Sequence, residues 1–157
     1  LHGGWFHLIS NMLYLWVFGD NIERVLGEVL YLVFYFAGGL AASAVHILFN
    51  LGSTVPSVGA SGAIAAVLGA YIVMFPKSRV KLLLFTGRGM GVRRVTALVF
   101  LGIWGLSQLL NGVASLGAET AQTGGVAVWA HIGGFVFGLI IGFLARGKAG
   151  NLHFESS

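Results

Sequence analysis

The chain of 157 residues contains no cysteine, two prolines and little charge. The absence of cysteine excludes disulfides, thiol chemistry and cysteine-based metal sites. Charged residues make up 9% of the chain and hydrophobic residues 57%, whereas soluble domains have about 25% charged and roughly 45–50% apolar residues. These proportions leave no room for a soluble domain, and they indicate one integral membrane domain over residues 1–157.

The apolar residues are grouped into runs of nearly the length that a membrane requires. A spanning helix needs about 20 mostly apolar residues. On this criterion the sequence predicts an all-α membrane protein with five spans, at residues 5–19, 29–49, 58–75, 95–112 and 126–145. The chain begins at Leu1, without Met and already close to an apolar run, so we expect it to be truncated at its N-terminus.

The positive residues are confined to three of the connecting segments. Arg24 follows the first span, six Lys and Arg lie between residues 77 and 94, and Arg146 and Lys148 follow the last span. With five alternating spans, these segments share one side of the membrane, which the positive-inside rule makes cytoplasmic, together with the C-terminus. This distribution is typical of membrane topology rather than of a nucleic-acid interface, so no nucleic-acid partner is expected.

The segment 77–94 also contains the apolar residues 82–85. Two interpretations stay open: the segment enters the membrane interface, or it packs on a neighbouring protein.

Four polar residues lie near the outer ends of the first, third and fifth spans: His7, Asn11, Ser61 and His131. Polar groups inside a membrane are costly and usually functional. Ser61 lies between small residues in Gly59-Ala60-Ser61-Gly62, which would let a substrate carbonyl approach its hydroxyl and backbone N–H together.

Ser61 and His131 together provide a nucleophile and a general base for acyl transfer. No carboxylate is expected at their depth, so a Ser-His dyad fits better than a triad. His7 and Asn11 are four residues apart, hence on one helical face. Both could donate hydrogen bonds to an oxyanion, beside the Ser61 backbone N–H.

Each of these residues also has a purely structural explanation. Small residues in apolar helices usually mediate helix packing, and a single intramembrane histidine is more often packed than catalytic. His46 and Asn50 repeat the His-x-x-x-Asn spacing at the end of the second span, so the spacing alone does not identify a site. A metal site formed by histidines such as His2 and His46 is disfavoured, because no HExxH helix or nearby carboxylate accompanies them.

Small residues recur every fourth position on the third and fifth spans. Such faces let two helix backbones approach closely. The sequence therefore predicts that these stripes pack on each other and bring Ser61 and His131 face to face; the stripes are Gly62, Ala66 and Ala70, and Gly134, Gly138 and Gly142.

Three motifs, in this order and on alternate spans, resemble those of the rhomboid intramembrane serine proteases: His7-Leu8-Ile9-Ser10-Asn11, Gly59-Ala60-Ser61-Gly62 and Ala130-His131-Ile132-Gly133-Gly134. The segments 23–27 and 108–112 are also similar to that family. The resemblance implies a rhomboid-like polytopic helical bundle with six core spans, of which five are present.

The resemblance also implies roles for individual residues. Ser61 would be the nucleophile, His131 the general base, and His7, Asn11 and the Ser61 N–H the oxyanion hole. His2 and Gly59 would lie near the site. Some members place an aromatic ring beneath the catalytic histidine where this chain has Ala65, so we expect other residues to hold His131.

The implied function is hydrolysis of peptide bonds in or next to the transmembrane helices of protein substrates, with no cofactor and no metal. The expected location is the cell membrane of a prokaryote, with the active site opening to the non-cytoplasmic side. Two alternatives are a catalytically inactive rhomboid-like protein that binds transmembrane helices, and a small transporter. The first would typically lack the serine or the histidine, and the second would show an inverted repeat, which the sequence does not.

Overall fold

A computed structural model describes residues 4–51, 60–86, 89–116 and 128–150, and most of them are helical. In chain order the elements are α1 (Trp5–Tyr14), a π-helical turn (Leu15–Gly19), α2 (Asp20–Leu26), α3 (Glu28–Phe49), α4 (Ser61–Met74), β1 (Arg79–Thr86), β2 (Gly89–Thr96), α5 (Ala97–Ser115) and α6 (Val128–Ala149).

Within the described residues, three helices are long and apolar enough to cross a membrane: α3, α5 and α6. Helix α4 is apolar but has 14 residues, which gives it a length of about 21 Å, shorter than a typical hydrocarbon core. The prediction of a helical membrane protein is therefore supported, whereas the count of five spans is not confirmed.

The first predicted span ends later than expected. Residues 20–28 were expected to form a connecting segment, but the helical path continues through the π-helical turn into α2 and stops at Gly27. No helix-breaking residue interrupts Asp20–Leu26, and Arg24 forms an ion pair with Asp20 at 2.9 Å, one turn away. Gly27 adopts a φ of 82°, which favours glycine and ends the helix.

The prediction of an all-α fold is wrong for residues 79–86 and 89–96, which form the antiparallel strands β1 and β2 of a hairpin. The sequence Arg79-Val80-Lys81-Leu82 alternates charged and apolar residues with the two-residue period of a strand. Leu82 pairs with Arg93, and Val80 with Val95. The hairpin leads directly into α5, whose first turn is capped by the Thr96 hydroxyl accepting from the Val99 N–H at 3.4 Å.

Helix α4 is the centre of the bundle, because almost every residue from Gly62 to Tyr71 is buried. It packs on α6 through the two predicted stripes of small residues. A Cβ on Gly134 or Gly138 would collide with the backbone carbonyl of Gly62 or Ala66, respectively. The predicted packing is confirmed. Successive glycines of α6 meet successive small residues of α4 in the same order along the sequence, so the two helices are parallel.

Helix α3 closes the other side of this pair. A Cβ on Gly38 would lie 2.6 Å from the Ala66 Cβ, and a Cβ on Gly133 would lie 2.6 Å from the Val45 Cβ. Phe34 of α3 stacks on Phe137 of α6 with ring centres 5.9 Å apart. Close contacts on two sides hold α4 and α6 in one register, which determines where their N-terminal ends meet.

Candidate active site

Ser61 is the first residue of α4 and is half-buried. The first hydrogen bond of this helix runs from the Ile64 N–H to the Ala60 carbonyl at 3.0 Å. The Ser61 N–H precedes that bond and has no acceptor within the helix. An N–H group at the positive end of a helix dipole favours a negatively charged group at this position.

His131 lies in the first turn of α6 with 7% of its surface exposed. Its Nδ1 is 2.9 Å from Oε1 of Gln108 on α5. An amide oxygen only accepts, so this hydrogen bond requires the proton of the neutral imidazole on Nδ1 and leaves a lone pair on Nε2. Nε2 is buried and has no hydrogen-bond partner among the described residues. This tautomer is the one that a general base acting through Nε2 needs.

Trp104 supplies a second contact to the histidine from α5, with ring centres 5.7 Å apart. Its ring also lies 5.6 Å from that of Phe135 on α6. Residues of α5 therefore hold His131, as the small side chain of Ala65 led us to expect. Sequence reasoning did not assign a role to Gln108, although an amide within an apolar span was the signal that could have identified it.

The N-terminal ends of α4 and α6 lie against each other. A Cβ on Gly62 would be 3.6 Å from the Ala130 carbonyl oxygen, so the residue after Ser61 contacts the residue before His131. Ser61 and His131 thus belong to adjoining helix ends. No hydrogen bond joins them among the described residues, since Nε2 is unpartnered.

Helix α1 brings the other two candidate residues to this region. His7 is half-buried and lies on the same face of α1 as Asn11. Asn11, one turn further on, is the one buried residue of α1, and α1 contacts α4. The Asn11 Nδ2 is buried with no acceptor among the described residues, so a hydrogen-bond donor is available inside the bundle.

The second His-Asn pair has a different environment. Asn50 caps the end of α3 and donates from Nδ2 to the His46 carbonyl at 2.8 Å, with His46 Nδ1 at 3.4 Å. Both side chains are half-buried. The Asn50 amide therefore finds its acceptor within α3 itself.

The remaining sequence candidates are not placed. His2 and Gly59 lie outside the described residues. In the described ranges, no three side chains of His, Asp or Glu come together as a metal would require.

Comparisons with known proteins give relatives along most of this chain. It is 31% identical to Rhomboid protein 1, mitochondrial, of Saccharomyces cerevisiae over 90% of its length and 38% of the relative's. It is 31% identical to Rhomboid protease GluP of Bacillus subtilis over 100% of its length and 32% of that protein. It is 29% identical to Presenilin-associated rhomboid-like protein, mitochondrial, of Mus musculus over 88% of its length and 34% of that protein. The chain thus spans about a third of these relatives, and no solved structure matches it.

The comparisons contradict the expected location. Similar proteins from yeast, mouse and cattle are mitochondrial. These names contradict the expectation of a prokaryotic cell membrane with a cytoplasmic C-terminus. A multi-pass membrane protein remains consistent with the three apolar helices.

The family model described as Rhomboid domain matches residues 1–148, which is almost the whole chain. Its match agrees with the rhomboid names of the relatives and with the helical membrane architecture. The chain belongs to the rhomboid family.

Proposed function

We propose that this protein is an intramembrane serine endopeptidase that cleaves transmembrane protein substrates with a Ser61-His131 dyad. The observation that carries the proposal is the environment of His131. Its Nδ1 lies within hydrogen-bond distance of Gln108, and its buried Nε2, at the end of α6 that adjoins Ser61, has no partner among the described residues. Family membership and the similarity to Rhomboid protease GluP support the same reaction.

In this mechanism the Ser61 Oγ attacks the carbonyl carbon of the scissile peptide bond while His131 Nε2 takes its proton. The carbonyl oxygen becomes an oxyanion. We infer that three donors stabilise it: the Ser61 N–H at the start of α4, the buried Asn11 Nδ2, and His7. His131 then gives the proton to the leaving amine, and water hydrolyses the acyl-enzyme through the same base.

Gln108 replaces the acid of a Ser-His-Asp triad as the group that orients the histidine. An amide oxygen keeps the proton on Nδ1 and fixes the ring, although it stabilises an imidazolium less than a carboxylate would. A neutral amide is favoured over a carboxylate at this apolar position, because the charge of a carboxylate would have to be desolvated there.

The proposal is tested with a fluorophosphonate probe on the full-length protein in membranes. Wild-type protein should be labelled, and both Ser61→Ala and His131→Ala should lose labelling. Matched controls are Ser43→Ala, on a residue whose hydroxyl donates to the Gly39 carbonyl of its own helix, and His46→Ala. Labelling that persists in Ser61→Ala, or that never occurs, would refute the dyad.

A second assay separates the protease from a binding protein. A model transmembrane substrate is incubated with wild-type protein and its products are identified by mass spectrometry. Cleavage that requires Ser61 supports the proposal. Stable retention of the intact substrate by wild-type and Ser61→Ala protein alike would instead identify a catalytically inactive rhomboid that binds transmembrane helices. The mitochondrial relatives favour a mitochondrial membrane as the place to seek substrates.

A further inference from the structure

A cleft of about 350 Å³ lies where the β-hairpin meets α1 and α5. The hairpin contributes Leu82 and Val95 to it, and α5 contributes Val99 and Ile103. These two α5 side chains are 51% and 66% exposed within the chain. Because α5 is one of the helices able to cross the membrane, this apolar surface lies where acyl chains are available.

The hairpin places positive charge beside the cleft. Residues 77–96 contain six Lys and Arg and no acidic residue. Arg93 pairs with Leu82 across the hairpin, so both side chains are on the face that lines the cleft. Arg93 is exposed and makes no ion pair within the part of the chain that the structure describes.

The opposite face of the hairpin adds further positive charge near the cleft. Lys81 pairs with Arg94, and both are exposed. Two further cations, Lys77 and Arg79, lie at the base of the hairpin. Positive charge near a membrane surface attracts acidic lipids by about 1 kcal/mol for each Lys or Arg.

We propose that this cleft binds an acidic phospholipid, with an acyl chain along Val99 and Ile103 and the headgroup phosphate at Arg93. A phospholipid matches both parts of the site, because its chain is apolar and its headgroup is negative. A transmembrane protein helix would match the apolar wall but would leave the hairpin's charge uncompensated. This inference goes beyond the proposed protease function and does not depend on it.

The cleft also adjoins the candidate active site. Trp104 lines it, and the same ring contacts that of His131. A lipid in the cleft would therefore lie on the far side of the residue that packs against the proposed base.

The test is photo-crosslinking of the full-length protein in phosphatidylcholine vesicles. The vesicles contain a small fraction of either phosphatidylglycerol or phosphatidylcholine carrying a diazirine on one acyl chain, and crosslinked residues are identified by mass spectrometry. We expect labelling of Val99 and Ile103 from the phosphatidylglycerol probe to exceed that from the phosphatidylcholine probe several-fold. Arg93→Ala should reduce it roughly five-fold, which is the factor equivalent to the loss of one such cation.

The matched control is Arg146→Ala on α6. Because α4 and α6 are parallel, the C-terminal end of α6 lies at the same end of the bundle as the hairpin that follows α4, so this variant removes one exposed cation there. Arg146 lies over the Phe143 ring at 3.9 Å, and neither residue lines the cleft. This variant should be labelled like wild type.

Three results would overturn the proposal: equal labelling by both lipids, labelling unaffected by Arg93→Ala, or labelling that a model transmembrane substrate removes regardless of headgroup charge. The last result would assign the cleft to a protein helix.

Discussion

The two His-x-x-x-Asn pairs of this chain have identical spacing and opposite environments. In α3, Asn50 donates to the carbonyl of His46, and the pair forms the end of its helix. In α1, Asn11 is buried in the bundle with its Nδ2 unpartnered among the described residues. The difference teaches that a hydrogen-bonding group is available for chemistry when its own helix does not already satisfy it.

The largest expected effect comes from removing the donor in α1. Asn11→Ala should lower kcat on a model transmembrane substrate by roughly 10²–10³, or about 2.7–4 kcal/mol, with little change in KM, because an oxyanion donor acts in the transition state. Asn50→Ala is the matched control and should keep wild-type kcat. Equal losses in both variants would mean that the two pairs are not functionally different.

A second variant disturbs the contact between α4 and α6 that brings Ser61 and His131 to adjoining helix ends, and it changes no residue of the α3 pair. In Gly134→Ala the new Cβ would collide with the Gly62 carbonyl and lie 3.3 Å from the Ala65 Cβ. Overpacking of this kind should lower the free energy of unfolding by about 1–3 kcal/mol, measured by steric trapping or by denaturation in mild detergent. Gly102→Ala, with no atom within 4 Å of the added Cβ, should have almost no effect; a similar loss in both variants would contradict the importance of this contact.

A third variant tests whether Gln108 of α5 orients the His131 imidazole by its hydrogen bond. Gln108→Leu leaves the buried Nδ1 of His131 without its acceptor. An unsatisfied buried donor should lower the free energy of unfolding by about 1–3 kcal/mol. Because the imidazole is then no longer held in one orientation, kcat should also fall. Gln108→Glu should retain more activity than Gln108→Leu, because its carboxylate also accepts from Nδ1, but the cost of desolvating the charge should keep kcat below wild type and alter its pH profile. Full activity in Gln108→Leu would show that the hydrogen bond does not orient the base.

The smallest effect is expected in α3. Asn50→Ala removes a half-buried hydrogen bond at a helix end, so the free energy of unfolding should fall by about 0.5–1.5 kcal/mol while fluorophosphonate labelling is unchanged. A clear loss of labelling would give the α3 pair a role in the site and would remove the distinction drawn above.

Much of the architecture follows from the amino-acid sequence. The spans predicted at 29–49 and 95–112 agree within a few residues with α3 and α5, because the hydrocarbon thickness requires long apolar runs. The contact between α4 and α6 was predictable from small residues at every fourth position, since that spacing follows from 3.6 residues per turn. The order of the three motifs indicated the rhomboid family, which the family model confirms.

Other features were decided by the tertiary structure. Gln108 and His131 are 23 residues apart on different helices, and their contact depends on how α5 rotates and approaches α6. The hairpin was not predicted, because the segment 77–94 was interpreted from its charge and apolarity rather than from its two-residue alternation. The identical spacing in α1 and α3 could not show that the Asn50 amide has a hydrogen-bond acceptor while the Asn11 amide has none among the described residues. Local spacing determines which side chains share a helix face, but only the packing of whole helices determines which of them find partners there.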